Sequence, residues 1–89
     1  MGDPITVTTQ DTTNGWIIPC GDSWDIDLPW AAVWATTGPQ TPGTAATAQD
    51  AWDLVATDAF GECTYWPTQE AAAEALRRTQ DEVLEEILG

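Results

Sequence analysis

"WIIPCGDSWDIDLPWAAVWATT", residues 16–37, holds four of the chain's six tryptophans, and the way this run divides into elements decides the fold. Gly21-Asp22 is a two-residue connection with glycine first, the preference of a type II′ hairpin turn. Residues 16–20 and 23–28 therefore read as the two strands of a hairpin. That register pairs Cys20 with Ser23, Pro19 with Trp24, Ile18 with Asp25 and Ile17 with Ile26. Side chains alternate along a strand, so Ile17, Pro19, Trp24, Ile26 and Leu28 fall on a core face. Trp16, Ile18, Cys20, Ser23, Asp25 and Asp27 fall on the other, where Trp16 and Ile18 need a second layer or a partner to cover them. Residues 29–37 admit two readings. A helix aligns Trp30, Val33 and Trp34, a strand aligns Trp30, Ala32 and Trp34, and so short a run gives periodicity nothing to decide with.

Outward from this run, ITVTT at 5–9 is β-branched and alternating, the pattern of a strand, here an edge strand. Residues 11–15 read as a turn, and GPQTPG at 38–43 reads as a loop on its glycine and proline content. Thr44 is placed as the N-cap of a helix over 44–60, with Ala45, Ala48, Trp52, Val55 and Ala59 recurring at helical steps and Gly61 stopping it. ECTYW at 62–66 reads as a short strand. Thr68 caps a second helix running to Leu88, whose stripe is Ala72, Leu76, Thr79, Val83 and Ile87, widened by Leu84 and Leu88. The expected fold class is α+β, one domain over 1–89. It has a small antiparallel sheet of the N-terminal strand, the hairpin and the later strand, packed on one side by two helices.

Fifteen acidic residues stand against Arg77 and Arg78 alone, giving a net charge of −13, with no histidine and no lysine. Such a surface repels nucleic-acid phosphates and anionic lipids and favours cationic partners. The 43% apolar content and six tryptophans belong to a folded domain rather than an acidic tail. No apolar run reaches the ~18 residues of a membrane span, and the opening residues lack the basic start and apolar core of a signal peptide. The expected address is cytoplasmic, or the host cytoplasm for a viral protein. Cys20 and Cys63 are then expected to be reduced thiols.

Catalytic chemistry is mostly excluded by composition. Without histidine the commonest general base and metal ligand is missing, two cysteines do not make a zinc site, and Ser23, the only serine, has no histidine to activate it. The spacing of Asp22, Asp25 and Asp27 departs from a calcium loop. Neither an enzyme nor a cofactor is expected. The two arginines pair at helical spacing with Glu74, Asp81 and Glu82, while Glu85 and Glu86 oppose the dipole of the last turn.

The expected function is that of a small acidic inhibitor or regulator that docks on a basic surface of a partner protein. One form of this is a nucleic-acid mimic of phage or plasmid type. The expected partner-binding residues are Trp16, Asp25, Asp27, Trp30, Trp34, Asp50, Asp53, Glu85 and Glu86, with tryptophan as the anchor because it is enriched at interface hot spots. Two alternatives compete: a subunit of a homo-oligomeric or virion assembly whose exposed tryptophans are buried between copies, and a halophile domain acidic for solvation only.

Overall fold

The computed structural model describes residues 4–19, 27–38, 41, 43–57 and 63–88. In chain order the elements are β1 (Ile5–Thr9), β2 (Thr12–Pro19), β3 (Trp30–Ala35), β4 (Thr44–Ala45), α1 (Ala48–Thr57), β5 (Thr64–Trp66), α2 (Gln69–Leu76) and α3 (Gln80–Leu88). The fold is α+β: a mixed five-stranded sheet with three helices.

β1 and β2 form the first hairpin, antiparallel, with Thr9 opposite Thr12. Its two-residue turn is Gln10-Asp11, both at positive φ (56° and 63°). That is the pattern of a type I′ turn, whose twist suits a hairpin. Because this turn is so tight, residues 12–15 belong to β2 rather than to the turn expected over 11–15. Pairing then slips between Val7 and Thr8, since Thr8 meets Thr13 while Val7 meets Gly15. Asn14 is the extra residue of this bulge, and its side-chain amide donates to Thr9 Oγ1 at 2.9 Å.

β2 pairs on its other edge with β3, joining Gly15 to Trp34, Ile17 to Ala32 and Pro19 to Trp30. This corrects the expected hairpin. Ile17 is paired to Ile5 on one side and Ala32 on the other, and a strand has only two edges, so no place remains beside it for Ile26. Asp27 lies in a turn and Leu28 outside any strand. Residues 20–26, with the Gly21-Asp22 turn, Cys20, Trp24 and Asp25, lie outside the described residues. Of the two readings of 29–37, the strand is the observed one. β1 is the edge strand the sequence suggests, at the end of the order β1-β2-β3-β4. The far edge of β3 is shared. Trp30–Ala32 pair antiparallel with β5, and Trp34–Ala35 pair parallel with β4.

Thr44 therefore sits in a strand and is not a helix cap. Its hydroxyl donates to the Thr41 carbonyl at 2.8 Å and accepts from the Thr41 N–H at 3.0 Å. The cap of α1 is Thr47, whose hydroxyl accepts from the Asp50 N–H. Thr68 caps α2 as expected, accepting from Ala71 N–H at 3.0 Å.

The expected single helix from 68 to 88 is two helices. Thr79 is a cap rather than a stripe residue: its hydroxyl accepts from Glu82 N–H at 3.2 Å. In an unbroken helix that N–H would bond to the Arg78 carbonyl four residues back. Instead the Arg78 carbonyl accepts the Trp34 indole N–H at 2.9 Å. At the Arg78 carbonyl the break thus replaces a helical bond with a tether to the sheet, while Thr79 caps the helix that follows. Thr79-Gln80-Asp81-Glu82 is the sequence signature of such a start.

The helices occupy both faces of the sheet, not one. Trp16, Ile18, Ala31 and Val33 face α1 and cluster with Ala51, Leu54 and Val55. Val7, Ile17, Ala32 and Trp34 face α2 and α3 and cluster with Ala72, Ala75, Leu76 and Val83. The second layer that Trp16 and Ile18 need is α1. Ile17, Ile18, Val33, Val55, Leu76 and Val83 are fully buried, each contributing about 1.5–3 kcal/mol of transfer free energy. Gly15 lets the α2 layer close down. A Cβ there would press onto the Val33 carbonyl oxygen and lie 2.9 Å from Leu76 Cδ2.

Candidate docking face

Two of the tryptophans expected at a partner surface are core residues. Trp16 is 5% exposed and Trp34 6%; one is covered by α1 and the other by α2 and α3, so neither ring is offered to a partner in this fold. Trp30 is half-buried against the α2–α3 layer. The signal that could have found this lies in the runs themselves. Gly15–Ile18 and Ala31–Val33 are apolar without alternation, which is how strands covered on both faces read.

The acidic residues divide. Asp50 and Asp53 are exposed on α1, where Asp53 Oδ1 accepts from Gln49 Nε2 at 3.1 Å. Glu85 and Glu86 are exposed on α3, across the sheet from α1. Asp27 is exposed in the turn before β3, and Asp25 lies outside the described residues. The expected set does not come together on one surface. Among the described residues no group of three Asp, Glu or Cys is placed to hold a metal ion, and no helix is long and apolar enough to cross a membrane.

What the sequence did not single out is the corner between α2 and α3. A cleft of about 310 Å³ opens there, lined by Trp66, Val83 and Ile87 with Glu74, Arg78 and Glu86 at its border. Ile87 is 55% exposed, the one large hydrophobic side chain exposed among the described residues. It follows Val83 by four residues on the same face of α3, so the buried stripe runs out into solvent here. The Trp66 indole N–H is spent on Thr64 Oγ1 at 3.0 Å.

The border is an ion-pair network. Arg77 bonds to Glu74 at 3.3 Å, and Arg78 reaches Glu86 and, at 3.9 Å, Glu82. The hydrogen bond that Arg78 donates to Glu86 and, after it, the nearby carboxylates hold the guanidinium above its ordinary pKa against an opposing cost of desolvation. Both cations are thereby engaged within the chain, and α2 and α3 present six carboxylates against these two guanidiniums.

The architecture is that of a small α+β protein whose sheet is clasped by helices on both faces, with one incompletely closed corner. Comparison with protein-family models, with curated proteins and with solved structures found no match for this chain.

Proposed function

We propose that this is a small acidic binding protein that docks on a basic surface of another protein and so regulates or inhibits it. The observation that carries this reading is the juxtaposition on α3 of exposed carboxylates with the exposed Ile87, in a chain of net charge −13. Carboxylates steer a cationic partner toward the surface, and an apolar contact supplies grip that salt does not screen.

A nucleic-acid mimic would need its carboxylates in one strip, whereas Asp50 and Asp53 are separated from Glu85 and Glu86 by the sheet. The proposal is therefore the wider one of basic-surface recognition. The assembly alternative rests on exposed tryptophans, and it loses support with Trp16 and Trp34 in the core.

The test is capture of partners on tagged protein, with washes graded in salt, followed by reconstitution with the purified candidate. Retention of one basic protein that salt releases and that rebinds in purified form is the expected result. Recovery of the chain alone, or of acidic and basic proteins alike, would contradict it.

A further inference from the structure

We infer that the α2–α3 cleft is the anchoring point of this docking, and that its occupant is a Lys/Arg-rich segment of the partner carrying an apolar side chain into the cleft. The inference rests on the proposed binding role and says which face performs it and what chemistry it takes. A volume of about 310 Å³ lies at the bottom of the range for small-molecule sites, and it suits an anchoring side chain or two rather than a cofactor. Its walls at Trp66, Val83 and Ile87 offer carbon, and an aromatic face also attracts a guanidinium.

Charge selects among occupants. A second copy of the chain would bring its own acidic α3 against this one. An anionic lipid or nucleic-acid phosphate would meet Glu74 and Glu86, with Arg78 already bonded to the latter. A cationic segment meets Glu74 and Glu86 at the border, both exposed, within a layer that carries six carboxylates and two guanidiniums. Basic residues flanking an apolar anchor satisfy both the floor and the border. The α1 face has acidic residues of the same kind at Asp50 and Asp53, yet no large hydrophobic side chain exposed among its described residues, and so it lacks an anchor.

The experiment titrates the full chain with a synthetic Lys/Leu amphipathic helical peptide and with a control peptide of the same charge in which serine replaces every leucine. The Lys/Leu peptide is expected to bind at least about tenfold more tightly at roughly 0.15 M salt, where surface charges are screened beyond about 8 Å. Ile87→Gln is expected to remove most of that preference without changing net charge, while Asp50→Asn with Asp53→Asn leaves it within about twofold. Because Ile87→Gln alters a terminal helix, NMR shift mapping on the unaltered chain provides a second measure, with perturbations expected at Trp66, Val83 and Ile87.

Equal binding of the two peptides, an Ile87→Gln protein that binds as before, or shifts confined to α1 would each overturn the cleft as the anchor. In those cases an acidic surface that binds cations would still stand. Absence of binding by the Lys/Leu peptide also overturns the cleft proposal, and the partner capture described above then decides the binding reading separately.

Discussion

The two helical layers are built differently on the same sheet. α1 is one short helix that buries Ala51, Leu54 and Val55 against Trp16, Ile18 and Val33, and its acidic residues face solvent. The opposite layer is broken at residues 77–79, tied to the sheet by the Trp34–Arg78 hydrogen bond, and leaves Ile87 uncovered. Acidic residues are common to both layers. An apolar gap beside them belongs to one, where Ile87 carries the Val83 stripe past its cover. This difference separates the carboxylates of α1, which have no large hydrophobic side chain exposed beside them among the described residues, from those that border the proposed anchor.

The largest effect expected on this comparison is from Gly15→Ala. The added methyl meets the Val33 carbonyl and Leu76, so β2, β3 and α2 must all shift, at a cost of about 3 kcal/mol or more. Urea denaturation would measure it, and a change below about 1 kcal/mol would show that the α2 layer does not close on Gly15. Next, Trp34→Phe removes the indole donor and orphans the Arg78 carbonyl, costing about 1–3 kcal/mol. Amide exchange should then quicken in α3 and stay unchanged in α1. Trp16→Phe gives the test its contrast, since its effect should appear at α1. Quickening in both layers alike from either substitution would erase the distinction between them.

Much of this was legible from residue types. ITVTT at 5–9 is an edge strand, the strand read at 62–66 is observed over Thr64–Trp66, Thr68 is a cap, and both arginines are spent within the chain, because each of these rests on local chemistry. The partners differ in part, since Arg77 pairs with Glu74 and not Asp81, and Arg78 reaches Glu86 as well as Glu82. What local chemistry did not show is burial on both faces of β2 and β3. Alternation presupposes one wet face, so Trp16 and Ile18 fall on the face away from the expected core with their cover unnamed, and α1 is that cover. The Gly21-Asp22 signal drew β2 toward a near partner, while its real neighbours are Ile5–Thr9 and Trp30–Ala35. Of the candidate site, the acidic residues were legible and the cleft was not, because it exists only through the break at Thr79.

That break supplies the third expected outcome. Thr79→Ala removes the α3 cap at a cost of about 1 kcal/mol and should loosen the cleft, whereas Thr47→Ala costs a similar amount at α1 without touching it. Thermal melts with residue-resolved exchange would tell the two apart. The smallest effect is at the first turn, remote from both layers. Gln10→Asn with Asp11→Gly suits the positive φ values there and should raise stability by about 0.5–1 kcal/mol, readable as a higher denaturation midpoint with an unchanged slope.

The sheet divides two tryptophans between two layers, and only the layer holding Trp34 is tethered through a helix break. Indole N–H exchange and ring NOEs in the isotopically labelled chain test this directly. The expected result is a slowly exchanging Trp34 indole with NOEs to Ala75 and Leu76, and a Trp16 ring with NOEs to Leu54 and Val55. A Trp34 indole that exchanges as fast as a free one, or both rings reporting on the same helix, would contradict it.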